Sequence, residues 1–252
     1  MTSRAKDPIP RLSVVIPALG EAATVCRAVS SVALAAACAD MVAEVVVADA
    51  EPGDGGSTLS ALDRLDPAAR SRLAGVRGLR APQGRARQMN AGAAAARGEI
   101  LLFLHADTRL PETALATAAR LLDNGARAGA FGLEIDSPRA SIRFIARMAT
   151  LRARFLGLPF GDQGLFLRRD LFENLGGFAD LPLMEDVEFV RRLARNGARP
   201  VVARENVVTS ARRFERLGPL ACTLRNWTLL SLYLLGAPPA RLARFYRPMG
   251  GA

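Results

Sequence analysis

The stretch EILLFLHADTRLP, residues 99–111, decides the fold of this chain. Its apolar run predicts a strand that is buried on both faces of a parallel sheet. The run ends in His105-Ala106-Asp107, and His105 is the only histidine in the chain. A carboxylate beside an imidazole can bind a hard divalent cation, which in turn can neutralise a diphosphate. The alternative is a structural role, in which Asp107 caps the next turn and His105 only satisfies a backbone group.

Short apolar runs alternate with helical patterns on both sides of this stretch. The predicted strands are 12–17, 43–49, 75–81 and 100–107, and the predicted helices are 21–38, 60–65, 84–97 and 111–125. This order predicts a parallel sheet with right-handed crossovers. Three of the strands end in candidate ligand groups: Pro17-Ala18 with nearby Glu21, then Asp49, then His105 to Asp107. Ligands bind at the carboxyl ends of such strands, so we expect these groups to share one site.

The pattern changes after Gly125. A strand is predicted over 128–136, an amphipathic helix over 141–157, a strand and a short helix within 164–178, and a helix over 185–197. No repeat or low-complexity linker separates the two halves. We therefore predict an N-terminal tail, 1–11, followed by a single domain, 12–248.

The net charge is +10, and nearly all of the positive charge is arginine. The arginines are spread along the chain with few aromatic residues between them, which argues against a nucleic-acid platform.

The N-terminus lacks the apolar segment of a signal peptide. The longest apolar stretch, 218–236, is interrupted by Arg225 and Asn226 and is short for a membrane span. Three cysteines without metal spacing indicate a reducing compartment, so we expect a cytoplasmic protein.

Three further motifs carry groups that could serve a site. Glu185 and Asp186 open a helix, where acidic residues are favourable whatever the function. Asp162 and Gln163 lie between glycines, in what can equally be an ordinary turn. Arg85 follows a glycine at a helix start, where an anion is favoured, although a solvated helix face explains it as well.

Several catalytic templates are excluded by the sequence. It contains no GxxxxGK[ST] loop, and the GDGGS stretch, 53–57, lacks the GxGxxG spacing of a dinucleotide site. A single histidine without GxSxG argues against a serine hydrolase. Three scattered cysteines argue against a zinc site.

Read together, the motifs VVIPALGE, VVVAD, GRARQMNAG, LLFLHADT, GDQGLFLRRDLFENLGGF and LMEDVEF resemble family 2 glycosyltransferases. More narrowly, they are similar to the bacterial radical-SAM/selenodomain-associated transferases, over about residues 12–248. The resemblance implies a GT-A fold, with a Rossmann-like, mostly parallel sheet flanked by helices. It also implies a nucleotide-binding lobe, 12–125, and an acceptor lobe with C-terminal helices, 126–248.

The resemblance further implies transfer of a sugar from a nucleotide sugar to an acceptor hydroxyl, usually with inversion and with Mg²⁺ or Mn²⁺. Asp107 matches the last acid of a DxD-type motif and would hold the metal. Asp186 matches the catalytic base, with Glu185 beside it. The nucleotide-sugar site would comprise Pro17, Ala18, Glu21, Asp49, Arg85, Asn90, His105, Ala106, Asp162 and Gln163.

Three departures from the family pattern affect this assignment. His105 stands where the first DxD acid is usual. Gly20-Glu21 replaces the common Asn-Glu pair. The segment 49–58 has a shifted glycine loop, in which Glu51 or Asp54 could contact the ribose.

Two other functions stay open at this point. A sugar-phosphate nucleotidyltransferase uses a similar nucleotide lobe, but it needs a glycine-rich basic loop after the first strand, and VIPALGEAATV, residues 15–25, lacks one. A nucleotide-sugar-binding or membrane-surface scaffold without activity is the non-enzymatic alternative.

The partners are predicted only in outline. Asp49 favours a uridine donor, and the acceptor is open between a lipid and a small molecule. Four arginines of helix 141–157 and the helix around Trp227 could rest on anionic lipid at the inner face of the membrane. The alternative is that these helices pack on the sheet or on a second copy of the chain.

Overall fold

The computed structural model describes residues 9–50 and 57–246. The strands are β1 (Leu12–Ala18), β2 (Ala43–Asp49), β3 (Gly75–Arg80), β4 (Ile100–Phe103), β5 (Thr108–Arg109), β6 (Ala128–Asp136), β7 (Leu165–Arg168) and β8 (Val201–Ser210). The helices of the first half are α1 (Val25–Cys38), α2 (Ser57–Ala61), α3 (Pro67–Ser71), α4 (Arg85–Ala95) and α5 (Ala114–Asp123). Those of the second half are α6 (Ala140–Leu156), α7 (Arg169–Asn174), α8 (Glu185–Arg195), α9 (Arg212–Leu217), α10 (Pro219–Leu234) and α11 (Pro239–Leu242).

All eight strands form one sheet, in the order β3-β2-β1-β4-β7-β6-β8-β5. The first four are parallel, as the alternating pattern predicted. β7 is antiparallel to both of its neighbours, and β6 and β8 are parallel to each other. Strands from the predicted lobes 12–125 and 126–248 thus share a single sheet.

Both faces of the central strands are buried, which explains their continuous apolar runs. In β1, Val14 and Ile16 face one core cluster, together with α1 and α5, whereas Val15 faces the cluster beneath α4 and α8. α4 lies so close to β1 that a Cβ on Gly92 would come within 2.4 Å of the Val15 side chain. Glycine is therefore required there by packing.

Several predicted boundaries are wrong in detail. The strand predicted to run to Asp107 ends at Phe103, so His105 to Asp107 lie in the turn that leads to β5. The helix predicted from Glu21 begins at Val25. The ten-residue strand β8 and the short helix α9 were not predicted at all. Within residues 9–50 and 57–246, no helix has the length and apolar character needed to cross a bilayer.

Candidate active site

The ends of β1 and β2 form one edge of the candidate site. Ala18 and Asp49 are opposite each other in the register, and both are buried, as is Pro17. The buried Gln88 amide on α4 donates hydrogen bonds to the carbonyl oxygens of Ala18 and Ala48, at 2.5 and 3.0 Å. This clamp fixes the two strand ends. The predicted ribose contacts Glu51 and Asp54 lie outside the described residues.

The turn after β4 supplies the second group of side chains. Asp107 is ion-paired to Arg212, with 3.1 Å between Oδ2 and Nη2. Arg212 also binds the carboxylate of Glu21, which Thr24 supports with a 2.8 Å hydrogen bond. Burial raises the pKa of Asp107 above its ordinary value, Glu21 acts in the same direction, and Arg212 opposes them. Asp107 also lines a cavity of about 200 Å³, beside α1 and β8.

Arg212 and Arg213 lie just after β8, and neither was predicted from the sequence as a site residue. Arg213 is partly buried, with its guanidinium 4.8 Å from the centre of the Tyr246 ring. Burial, and then the charge of Arg85, lower the pKa of Arg213. Among the described residues no carboxylate forms an ion pair with Arg213. A guanidinium that stays charged in such a setting favours an anionic ligand.

The first turn of α8 lies opposite the first turn of α4 at the candidate site. Glu185 is buried and ion-paired to Arg85, with 3.1 Å between Oε1 and Nη1. Burial raises the pKa of Glu185, although Arg85 opposes the shift. Asp186, one residue on, is only partly buried and accepts hydrogen bonds from the backbone N–H groups of Gly161 and Val187, at 2.7 and 2.8 Å. The two acids predicted as a catalytic pair therefore differ: Glu185 holds Arg85, and Asp186 faces the site.

The side chain of His105 lies close to Gly161 and Asp186. A Cβ on Gly161 would lie 3.2 Å from Nε2 of His105 and 3.1 Å from Oδ2 of Asp186, so the two polar atoms flank one small gap. Among the described residues, Nε2 is buried and has no hydrogen-bond partner. Burial, and the charges of Arg85, Arg213 and Arg212, hold the pKa of His105 well below its ordinary value. The imidazole is therefore neutral at pH 7.

The loop between α6 and β7 and the end of α6 supply Asp162 and Arg152. Together with Arg85, Arg213 and Asp186 they form what we call the charged cluster. Burial raises the pKa of Asp162, which Arg152 opposes, and Oδ1 of Asp162 has no hydrogen-bond partner among the described residues. The Arg152 guanidinium lies 3.5 Å from the centre of the Phe160 ring. The fully buried Gln163 donates to the carbonyl oxygen of Phe131 and accepts from the N–H of Phe160. Gln163 thus anchors this loop.

One predicted ligand residue has its side chain occupied elsewhere. The Asn90 amide donates to the carbonyl oxygen of Phe178 at 2.8 Å, and its Oδ1 accepts from the Phe178 N–H at 2.9 Å. Asn90 therefore fixes the loop before α8. The remaining predicted site residues, including Ala106, lie along the strand ends or in the charged cluster. The only local signal for Arg212 and Arg213 is the Arg-Arg pair shortly after Val207-Val208-Thr209, because the mixed residues before that run hide the strand.

Comparisons with known proteins identify the family and the fold. The family model described as "Glycosyl transferase family 2" matches residues 13–176. The sequence has no significant match among curated proteins.

Solved glycosyltransferases share the fold. Mannosyltransferase PcManGT from Pyrobaculum calidifontis, in complex with GDP-Man and Mn2+, is 24% identical with a TM-score of 0.60, over 79% of this chain and 56% of that chain. S. aureus TarS is 18% identical with a TM-score of 0.62, over 79% of this chain and 36% of that chain. A shorter TarS, in complex with UDP-GlcNAc, is 17% identical with a TM-score of 0.60, and 58% of that chain is covered.

This chain therefore spans only about one third to three fifths of the length of these structures. At these identities the likeness shows the fold alone. It confirms the predicted GT-A architecture, in which a mostly parallel sheet is flanked by helices.

Proposed function

This chain belongs to glycosyl transferase family 2, and on that premise we propose that it transfers a sugar from a nucleotide-sugar donor to an acceptor hydroxyl, with inversion. The observation that carries the proposal is the charged cluster at the carboxyl edge of the sheet, where Arg85, Arg152 and Arg213 meet Asp162 and Asp186. The narrower assignment to the radical-SAM/selenodomain-associated subgroup stays a prediction from the motifs.

Arg85 and Arg213 are the proposed binders of the donor diphosphate. As the bond between the sugar and the phosphate breaks, negative charge accumulates on the leaving diphosphate. Guanidinium groups already in place stabilise that charge without reorganising. Arg213 suits this role because it has no carboxylate ion-pair partner in the described part of the chain. Arg212 is placed beside it but is held between Glu21 and Asp107.

Asp186 is the proposed general base. Its carboxylate is oriented by two backbone N–H groups and lines a small apolar cleft with Phe103, Phe160 and Phe178. An acceptor hydroxyl in this cleft can donate its proton to Asp186 as it attacks the anomeric carbon. A single inverting displacement needs no enzyme nucleophile, which agrees with the absence of an activated serine or cysteine from the cluster.

Donor turnover is the direct test of the proposed function. UDP-sugars and GDP-mannose are the first donors to assay, since solved structures of similar fold hold UDP-GlcNAc or GDP-Man. Release of the nucleoside diphosphate is expected. Release of pyrophosphate instead would identify a nucleotidyltransferase. Specific donor binding with no turnover or hydrolysis of any donor would favour the inactive scaffold.

We propose that a divalent cation binds this site together with the donor. No group of three or more histidine, cysteine, aspartate or glutamate side chains is placed to hold a metal within residues 9–50 and 57–246. Asp107 offers one carboxylate, and Mg²⁺ is commonly held by one or two carboxylates plus substrate phosphates. When bound, the cation would act as a Lewis acid on the diphosphate. We propose Asp107 as its protein ligand.

We therefore expect Mn²⁺ to bind only in the presence of nucleotide. Calorimetric titration of the protein with Mn²⁺ should give no saturable signal, whereas the same titration with UDP present should give a stoichiometric one. Asp107→Asn should remove the second signal and leave binding of UDP without metal measurable. Tight Mn²⁺ binding to the free protein would contradict this arrangement.

Gly161 is expected to keep the gap between His105 and Asp186 open. In Gly161→Ala the new methyl group would contact both polar atoms, in the space that we propose the acceptor hydroxyl enters. We expect kcat to fall by about 10²-fold, the order of loss that small misplacements cause. Steady-state kinetics measure this effect.

Gly75→Ala is the matched control, because a Cβ there meets nothing within 4 Å. It should leave kcat unchanged, and both variants should melt like the parent protein. If Gly161→Ala retained full activity, the gap would not be part of the reaction path.

A further inference from the structure

Helix α6 carries an apolar stripe that faces away from the sheet. Its members are spaced i, i+4, i+7 and i+11, which places them on one helix face. All are exposed, up to 76% for Phe155. The stripe consists of Phe144, Met148, Leu151 and Phe155. The opposite face, with Ile142, Ala146, Thr150 and Ala153, is the one that packs on the sheet.

Helix α10, which contacts α6, carries a second stripe. Its spacing of i, i+4, i+7 and i+14 again defines one face. The stripe consists of Leu220, Leu224, Trp227 and Leu234, and Leu235 just beyond the helix extends it. Leu220 is 72% exposed and Leu235 is 85% exposed. We call the two stripes together the α6–α10 surface. Packing on the sheet, one alternative raised by the sequence, is confirmed for the inner face of α6, whereas the two stripes stay exposed.

The net charge of the chain is concentrated in the two sequence segments that contain helices α6 and α10. Segments 137–161 and 216–252 contain ten arginines and no acidic residue. The rest of the chain therefore holds 24 of the 34 basic residues and all 24 acidic ones, and is neutral overall. The exposed arginines of the described part of these segments are Arg139, Arg143, Arg147, Arg154, Arg216, Arg241 and Arg244.

We propose that the α6–α10 surface binds the surface of an anionic lipid bilayer. An exposed apolar face bordered by arginines and without acidic residues has the composition of an interfacial helix. Leucine, phenylalanine and tryptophan side chains would enter the headgroup boundary, and the arginines would contact lipid phosphates. Docking does not depend on the proposed sugar transfer.

A second copy of the chain suits this surface poorly. A symmetric dimer brings the same patch of each copy together. Here the arginines of one copy would face those of the other, with no acidic side chain within either segment to compensate. The charge distribution therefore favours an anionic bilayer over self-association.

Flotation of the full chain with lipid vesicles tests the proposal. Vesicles of equal parts phosphatidylglycerol and phosphatidylcholine should carry the protein upward at low salt, and vesicles of phosphatidylcholine alone should carry much less. Trp227 is the only tryptophan in the chain, so its fluorescence reports on this surface alone. Its emission should shift to the blue with the anionic vesicles, and added NaCl should weaken binding.

Substitutions that remove arginines or apolar side chains distinguish binding through this surface from nonspecific binding to lipid. R147Q/R244Q should weaken partitioning about 30-fold, since each arginine near an anionic surface contributes roughly a fivefold factor. The exposed arginines of R72Q/R120Q, outside both segments, are the matched control and should have little effect. F155S/L220S should also reduce flotation strongly, and L34S/V42S should not.

Three results would overturn the proposal. The first is wild-type protein that stays unbound with anionic vesicles at low salt. The second is an equal loss in the control variants. The third is a blue shift of Trp227 that follows protein concentration without lipid, together with a dimer mass in ultracentrifugation, which would identify a second copy as the occupant.

Discussion

We expect Asp186→Asn to lower kcat by about 10² to 10⁴, the usual contribution of a positioned general base. The amide cannot take the proton of the attacking hydroxyl, whereas the donor site, formed by other side chains, stays in place. Affinity for the nucleotide sugar should therefore remain close to that of the parent protein. Single-turnover kinetics together with a donor-dependent thermal shift separate these two quantities.

Asp170→Asn is the matched control for this substitution. Asp170 is exposed and also opens a helix, and its Oδ1 accepts a 2.7 Å hydrogen bond from the following backbone N–H, as that of Asp186 does. Any general effect of losing a carboxylate at a helix start appears in this control. Full activity of Asp186→Asn would remove Asp186 from the role of base.

Arg213→Gln is expected to lower kcat/KM by about 10² to 10³, the range seen when one preorganised donor to a developing negative charge is removed. The loss should appear in kcat as well as in KM, because charge on the diphosphate grows as the bond to the sugar breaks. The stability of the protein should not fall. Burial penalises this cation, and no carboxylate ion pair is lost with it.

Arg216→Gln serves as the matched control for Arg213. It lies on the same helix, α9, but is exposed, whereas Arg213 is partly buried. Its kinetics should resemble those of the parent protein. An equal loss in both variants, or an unchanged kcat/KM for Arg213→Gln with every donor tested, would place the diphosphate elsewhere.

The strand ends were predictable because their signal is local. The apolar runs of β1, β2 and β4 and the polar groups that follow them are contiguous in sequence. Parallel strands bring their carboxyl ends to one edge, so the position of Ala18 beside Asp49 follows from topology alone. Periodicity does not show how a chain leaves a strand, which is why the predicted end of β4 is four residues late.

Strand β8 could not be predicted because apolar and polar residues do not alternate regularly along it. Its ten residues include Arg204, Glu205 and Asn206, and only part of the strand is buried. The β-bulge opposite Ala130 and Gly132 breaks the alternation further. Without β8, the position of the arginines that follow it could not be derived.

The sequence by itself determined the order of strands and helices, the edge at which polar groups gather, and the resemblance to the family. Only the tertiary structure decided which charges meet: Arg212 reaches Glu21 across 191 residues, and Arg85 reaches Glu185 across 100. It also decided that Glu185 is buried against Arg85 while Asp186 is only partly buried and lies beside Gly161. The physical reason is that hydrophobic periodicity records only which face of an element is buried. The energy of an ion pair, by contrast, depends on distances between side chains that are far apart in the chain.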